Sequence, residues 1–165
     1  MSAKEDVTRW LGLASYEEKD SGIFYGRDKE VRELSEDIFS HVQTVIYGPS
    51  GVGKTSILRA GVFELARKRN FLPVYVRLDV DAEMSYTAQI ITAIETELKK
   101  AGAEREECVS PFEDEFSLWE YFHANLFWSS DNYPISPLIV LDQFEELFTL
   151  SDSQSRVELF FTQLS

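Results

Sequence analysis

Residues 48–55 read GPSGVGKT and match every fixed position of the phosphate-binding (Walker A) pattern G-x-x-x-x-G-K-[ST]. The glycines let the backbone curl so that successive N–H groups point at phosphate oxygens. We expect Lys54 to reach the β- and γ-phosphates and the Thr55 hydroxyl to bind Mg²⁺. The pattern is specific evidence only where a buried strand is expected before it and a helix after it, which limits the folds open to the chain. The residues predicted to contact a nucleotide here are Gly48, Pro49, Ser50, Gly51, Val52, Gly53, Lys54, Thr55 and Ser56.

The segments on both sides of this loop have the composition that the pattern requires. Residues 42–47, VQTVIY, are β-branched and aromatic, as expected for a central strand. In residues 56–68 the apolar side chains at 57, 58, 62 and 65 have helical spacing, and the basic end suits a helix C-terminus. A chance glycine-rich turn is the alternative, and both flanks argue against it. We therefore predict nucleotide binding.

Length and charge exclude several other classes of protein. The chain has 165 residues, enough for one domain with a buried core. Its net charge of −13 would repel a phosphate backbone or an anionic lipid surface, so we predict no direct nucleic-acid partner and no membrane partner. The single cysteine, Cys108, cannot form an internal disulfide, and no signal-peptide core is present. These features predict a cytoplasmic location.

Helical and strand patterns alternate along the chain. Residues 28–39 and the segment from Ser85 onward have helical spacing, whereas residues 72–78 read as a strand. Residues 137–142 are an apolar run that ends in an aspartate, typical of a buried parallel strand. Residues 102–116 are predicted to form a charged loop. This alternation predicts an α/β fold with a mostly parallel sheet.

Two capping boxes mark the expected starts of later helices. The sequence SLWE at 117–120 predicts an aromatic-rich helix that turns Trp119, Phe122 and Leu126 inward. The sequence SRVE at 155–158 predicts the start of a last helix. Both helices would then pack their apolar faces against the sheet.

An acid at the tip of a neighbouring strand is the second part that a P-loop enzyme needs. Asp142 ends the apolar run and would lie beside the Mg²⁺ held by Thr55; an acid that merely caps a strand is the alternative. Hydrolysis also needs a carboxylate that aligns or deprotonates the attacking water. Position 143 is Gln143, so the candidates are Glu145 and Glu146. Either glutamate could instead pair with a neighbouring arginine or lysine.

Three segments together resemble one family. Residues 48–61, GPSGVGKTSILRAG, and residues 141–148, LDQFEELF, are similar to the two nucleotide motifs of the novel STAND group of signal-transduction ATPases. Upstream, LGLASY at 11–16 and FYGRDKE at 24–30 resemble the N-terminal motifs of the same group. The three matches span nearly the whole chain and occur in the family's order.

The resemblance implies an ATP-dependent switch. ATP binding and hydrolysis would interconvert a closed resting state and an open, self-associating state, with other domains of a larger polypeptide supplying input and output in signalling or defence. Gly26 and Arg27 would lie on the base and ribose side of ATP or ADP, although Arg27 could simply pair with Glu30. The implied fold is a three-layer P-loop NTPase of the additional-strand type. Residues 1–27 would form an N-terminal segment and residues 28–165 the core.

One departure from the family separates two functional hypotheses. A complete domain of this group continues past the second motif with a sensor residue, a phosphate-reading arginine and a winged helix, so we expect a domain truncated after that motif. This affects hydrolysis more than binding, and a binding-only interaction module is the alternative to an ATPase. A P-loop small-molecule kinase is a third possibility, but the acids from Asp142 to Glu146 argue against it.

Overall fold

A computed structural model describes residues 14–108, 117–151 and 154–164 of the chain. It divides into two compact units, Met1–Arg69 and Asn70–Ser165. Residues 11–13 of the N-terminal motif and residues 109–116 of the predicted loop lie outside the described residues. Among the helices within the described ranges, none is both long and apolar enough to cross a membrane.

Helices build the first unit, and both helices predicted there are confirmed. In chain order they are a 3-10 helix (Glu18–Ile23), α1 (Asp28–Ser40), α2 (Lys54–Ser56), a π-helical segment (Ile57–Val62) and α3 (Phe63–Arg67). Acidic residues in the first turn of α1 suit the positive end of its dipole. The three segments after the phosphate-binding loop follow one another without a break, so the loop leads directly into a helical run.

The strand predicted for residues 42–47 is not formed in this structure. No strand is assigned to these residues, and Val42, Val45 and Tyr47 are exposed. A strand needs a neighbouring strand to supply its hydrogen-bond partners, and the described residues of this unit include no other strand. The β-branched composition alone is therefore not sufficient to make a strand here.

Helix α1 and the π-helical segment are in close contact at Gly61, which faces Val31 of α1. A Cβ atom added to Gly61 would lie 2.3 Å from Val31 Cγ2 and 3.2 Å from Val31 Cβ. The neighbours Leu58, Ala60 and Val62 are buried, so the segment has little room to move away. At this last position of the LRAG continuation, a glycine is needed because a larger side chain would overlap with Val31.

Replacing Gly61 with alanine should lower the free energy of unfolding by about 1 kcal/mol, because an overpacking cost of about 1–3 kcal/mol exceeds the helix-propensity gain of about 1 kcal/mol. Denaturant titration measures this difference. Gly22→Ala is the matched control, since a Cβ there meets no atom within 4 Å. Equal stability of the two variants would contradict the close contact with Val31.

Strands and helices alternate in the second unit. In chain order they are β1 (Phe71–Arg77), α4 (Tyr86–Ala101), β2 (Glu104–Glu107), α5 (Leu118–Ala124), β3 (Asn125–Trp128), β4 (Ser136–Asp142), α6 (Glu146–Thr149) and α7 (Gln154–Leu164). The strands β1 and β4 pair in parallel, from Phe71 opposite Ser136 to Arg77 opposite Asp142. The strands β2 and β3 pair antiparallel. The unit is thus mixed α/β with a small parallel sheet, whereas the three-layer arrangement stays a prediction.

One apolar core holds this unit together. Val74 on β1, Ile90 and Ile94 on α4, Leu147 on α6 and Phe160 on α7 are at most 2% exposed. The two isoleucines are four residues apart and therefore lie on one face of α4. The predicted strand at 137–142 is parallel as expected but only half-buried. Within the described residues β1 is its single partner strand.

Residues 104–107 form strand β2, where a charged loop is predicted. Pairing with β3 fixes this strand, and the Trp128 Nε1–H donates to Glu106 Oε2 at 2.9 Å. Nearby, the Tyr121 hydroxyl donates to Glu95 Oε1 at 2.9 Å. Burial first, and then this hydrogen bond, raise the pKa of Tyr121 well above its usual value. Tertiary contacts therefore outweigh the poor strand propensity of glutamate.

The capping box at 117–120 is confirmed, but only part of the predicted inward face is correct. Ser117 Oγ accepts from Glu120 N at 3.1 Å, and Glu120 Oε2 accepts from Ser117 N at 2.8 Å. Phe122 packs against the core, whereas Trp119 is 54% exposed. Leu126 lies beyond the end of α5, on β3, and is also half exposed.

The last predicted helix is confirmed with a different start. Helix α7 begins at Gln154, so Ser155 lies inside it and the capping box predicted for residues 155–158 is wrong. Phe160 is buried in the core, whereas Phe161 and Leu164 are each 40% exposed. The helix therefore contributes one narrow apolar stripe to the unit.

Candidate functional site

Two glycines with left-handed backbone shape the phosphate-binding loop. Gly51 has φ 78° and Gly53 has φ 93°, a region that side chains with a Cβ rarely adopt. Gly53 is the N-cap of the helical run that starts at Lys54, and Ile57 N donates to Gly53 O at 2.9 Å. Curled backbone at a helix N-terminus is a suitable arrangement for binding a phosphate group.

The Lys54 side chain lies across this loop. Its Nζ donates to Gly48 O at 2.8 Å and to Pro49 O at 3.1 Å, both at the start of the loop. An ammonium group is a compact cation with several donors, and it can exchange carbonyl oxygens for phosphate oxygens. The structure therefore holds the predicted phosphate-binding cation at the loop itself.

The N-terminal segment is attached to the helical run that follows the loop. Tyr16 N donates to Ser56 Oγ at 3.1 Å, so Ser56, a predicted nucleotide contact, is bonded to this segment. The Glu18 carboxylate accepts two hydrogen bonds from Arg67 in a bidentate ion pair, in which Arg67 Nη2 lies 3.0 Å from Glu18 Oε2. These contacts fix residues 16–18 beside the helix that carries Lys54.

Arg27 lies beside the phosphate-binding loop, and the contact of Gly26 and Arg27 with a nucleotide stays a prediction. Arg27 Nη2 donates to Val52 O at 3.4 Å, a long hydrogen bond to the loop backbone. The alternative ion pair is also present, since Arg27 Nε lies 2.9 Å from Glu30 Oε1. Gly26 has φ 84°, which turns the chain immediately before Arg27. The ion-pair alternative for Arg27 is therefore observed.

An aromatic cleft lies at the residues before Gly26, and the sequence analysis did not predict it. Tyr16, Ile23, Phe24 and Tyr25 line a cleft of about 390 Å³. The rings of Tyr16 and Phe24 are 5.4 Å apart, and Tyr25 is 70% exposed. The signal that points to this cleft is the run of aromatic residues directly before the Gly-Arg pair.

In the second unit, Asp142 is the last residue of β4. The Tyr75 hydroxyl donates to the Asp142 carboxylate. Tyr75 and Arg77 are two residues apart on β1 and therefore point to the same face of the sheet, and Arg77 is the register partner of Asp142. Sequence reasoning missed both residues, although tyrosine and arginine alternating at a strand end are a usable signal.

A tight turn follows Asp142 and sets the directions of the two glutamates. Gln143 has φ 53°, in the left-handed region, and Glu146 N donates to Gln143 O at 2.9 Å. Phe144 packs against the core and Leu147 is 2% exposed, so apolar anchors lie on both sides of the glutamate pair. The turn is therefore fixed by burial.

The two glutamates have different surroundings. Arg77 Nη2 donates to Glu146 at 2.7 Å and 3.0 Å, and Arg77 Nε donates at 3.2 Å. The hydrogen bond to Glu146 raises the pKa of Arg77. Glu145 is exposed, and its carboxylate has no hydrogen bond or ion pair within the described part of the chain. Pairing with a basic residue, the alternative to catalysis, is thus observed for Glu146.

The structure brings the predicted residues together in two groups. The first group joins the phosphate-binding loop to Gly26 and Arg27, and the second contains Asp142, Glu145 and Glu146. Each group belongs to a different compact unit. Within the described ranges, no cluster of three or more histidine, cysteine, aspartate or glutamate side chains could hold a metal ion by itself.

A comparison with protein families matches nearly the whole chain. The family model described as Novel STAND NTPase 1 covers residues 10–165, which include all the segments that carry the resemblance. No solved structure matches the chain. The match agrees with the family inferred from the three sequence motifs.

Proposed function

Because the chain belongs to the novel STAND NTPase family and is thus a nucleotide-binding NTPase module, we propose that it binds and hydrolyses Mg²⁺-ATP as a nucleotide switch. The loop from Gly48 to Ser56 binds the phosphates, and Lys54 contacts the β- and γ-phosphates. Asp142 and Thr55 hold the metal, and a glutamate after Asp142 positions the attacking water. The larger protein would act as a signalling or defence regulator.

One observation supports this function most directly. The phosphate-binding loop has its glycine turns, its helix N-terminus and its lysine in one place, with Lys54 Nζ hydrogen-bonded to two loop carbonyls. A loop that is already folded loses little conformational entropy when a ligand binds. A triphosphate is the ligand whose charge and size suit this arrangement.

The base of the nucleotide is proposed to occupy the aromatic cleft. Tyr16, Phe24 and Tyr25 offer ring faces, and Gly26 with Arg27 links the cleft to the phosphate-binding loop through Val52 O. Aromatic rings stack on any base, so the preference for adenine is proposed from family membership. The bound nucleotide would thus run from the cleft to Lys54.

The donors available for a metal fit Mg²⁺. Asp142 supplies a carboxylate oxygen and Thr55 a hydroxyl oxygen, and Mg²⁺ in nucleotide sites typically takes one or two protein oxygens with the remainder from phosphates and water. Tyr75 holds one side of the Asp142 carboxylate, which orients the group. When bound, the metal would neutralise charge that develops on the phosphates.

The role of the module in a larger protein is proposed from the family. ATP binding would favour an open state able to self-associate, and hydrolysis would return the closed state. The proposed partners are therefore ATP, ADP, a second copy of the NTPase domain and other domains of the same polypeptide. A cytoplasmic location remains a prediction, as do the absence of direct nucleic-acid binding and the absence of membrane binding.

Nucleotide titration with and without metal tests the proposed function. We expect calorimetry to show ATP binding in Mg²⁺, weaker binding in EDTA, and weaker binding of GTP than of ATP. Phosphate release should require Mg²⁺. ATP binding without phosphate release would favour the binding-only module, and phosphorylation of an acceptor molecule would favour the kinase. Absence of binding to any nucleoside triphosphate would contradict all three.

A further inference from the structure

We propose that Arg77 is a positioning residue that holds Glu146 away from the attacking water and leaves Glu145 as the carboxylate that deprotonates it. This inference rests on the proposed ATP hydrolysis. It assigns different roles to two glutamates that are adjacent in sequence and chemically identical. The difference between them comes from β1, a strand that belongs to neither nucleotide motif.

The same face of β1 contacts both acidic positions of the second motif. Tyr75 and Arg77 alternate along the strand, and the parallel register brings them beside the end of β4. Tyr75 donates to Asp142, and Arg77 donates to Glu146. One face of one strand therefore fixes the metal-binding acid and one of the two glutamates.

Glu146 is unsuited to accept a proton from water in this arrangement. Both of its carboxylate oxygens accept hydrogen bonds from the Arg77 guanidinium, at 2.7 Å and 3.0 Å. The guanidinium thus occupies the oxygens that a water molecule would have to approach, and the two-pronged pairing fixes the orientation of the carboxylate. Glu146 is also the first residue of α6, where a negative charge suits the helix dipole. These features indicate a structural role.

Glu145 has the opposite properties. Its backbone is fixed, because its carbonyl accepts from Phe148 N at 3.1 Å and the residues on either side of the glutamate pair are anchored in the core. Its carboxylate is exposed and makes no polar contact with the described residues. A fixed backbone with an unpaired carboxylate suits a general base that must approach a water molecule.

Hydrolysis of the γ-phosphate needs no reactant other than water. The water oxygen forms a bond to the γ-phosphorus while the bond from that phosphorus to the β–γ bridging oxygen breaks. The bridging oxygen keeps the electron pair and leaves as part of ADP. Glu145 accepts the water proton and then releases it to phosphate or solvent.

Steady-state turnover of the full chain distinguishes the two glutamates. We expect Glu145→Gln to lower kcat by about 100-fold while ATP affinity is retained, because a general base contributes about that much. Glu146→Gln should lower kcat by no more than about threefold. Loss of turnover in Glu146→Gln, with turnover retained in Glu145→Gln, would overturn the proposal.

A double variant tests whether Arg77 acts through Glu146. Arg77→Met should lower kcat by about tenfold, a usual effect of losing a supporting partner, because it releases Glu146 beside Asp142. Adding Glu146→Gln to Arg77→Met should raise kcat most of the way back to the wild-type value, since the released carboxylate is then absent. Arg77→Lys keeps the charge and should retain most of the turnover. Additive losses in the double variant would contradict the positioning role.

Carbodiimide labelling read by mass spectrometry tests the contact even if the chain does not hydrolyse ATP. Glu145 should be labelled several times faster than Glu146 in the wild-type chain, and Arg77→Met should make the two rates similar. Similar rates in the wild type would overturn the inference. Differential labelling in a chain without turnover would confirm the contact and reject the hydrolytic role, so failure of the proposed function is recognised separately.

Discussion

Lys54→Ala is expected to abolish measurable ATP binding. Removing one partner of a desolvated charge pair costs about 3 kcal/mol or more, which corresponds to a rise in Kd of about 100-fold or more. The variant also loses the hydrogen bonds from Lys54 Nζ to Gly48 O and Pro49 O, so the empty loop loses part of its internal support. Calorimetric titration with Mg²⁺-ATP measures the change.

The control for this variant is a lysine on the same stretch of chain. Lys68 is exposed and pairs with Glu64 at 2.6 Å, a contact of the i, i+4 kind. Lys68→Ala should leave the Kd for ATP unchanged because such surface pairs contribute little. Far-ultraviolet circular dichroism shows whether both variants keep their helices. Binding by folded Lys54→Ala as tight as by Lys68→Ala would contradict the assigned role of the loop.

Asp142→Asn should remove the metal dependence of the reaction. Asparagine keeps an oxygen that can accept from Tyr75, so the local geometry is retained while the charge is lost. We expect phosphate release to fall by about 100-fold or more, because a metal ion contributes several kcal/mol of charge stabilisation. ATP affinity measured in EDTA should not fall, since that measurement does not involve the metal.

Asp131→Asn is a suitable control, because Asp131 is an exposed acid in the turn before β4. Its turnover should equal that of the wild type. Both variants carry the same change in net charge, so a general electrostatic effect would appear in both. Unchanged Mg²⁺ dependence in Asp142→Asn would show that the metal is held elsewhere.

The parts of the fold that depend on local sequence could be predicted. Helix α5 starts at the predicted capping box, where Ser117 and Glu120 exchange hydrogen bonds within one turn. The strand ending at Asp142 follows from its apolar run. Two predictions were wrong: residues 42–47 form no strand, and β2 forms where a loop was expected. Strand formation could not be predicted at these places because it depends on partner strands that are distant in sequence.

In the candidate site, too, features set by local sequence could be predicted, whereas features set by distant residues could not. The glycine turns of the phosphate-binding loop follow from the motif, since its residues are contiguous in sequence. The preference for Glu145 over Glu146 could not be derived from the motif, because the two residues are adjacent and identical. It depends on Arg77, which is 69 positions away from Glu146 and reaches it through the strand register. Sequence alone does not specify such a register.

The attachment of residues 16–18 to the helical run after the loop bears on how a minimal fragment should be cut. Tyr16 N bonds to Ser56 Oγ, and Glu18 pairs with Arg67. A fragment that began at α1 would still contain the whole phosphate-binding motif, but it would lose these supports and the aromatic cleft. Any shortened version intended to keep nucleotide affinity should therefore start before Tyr16.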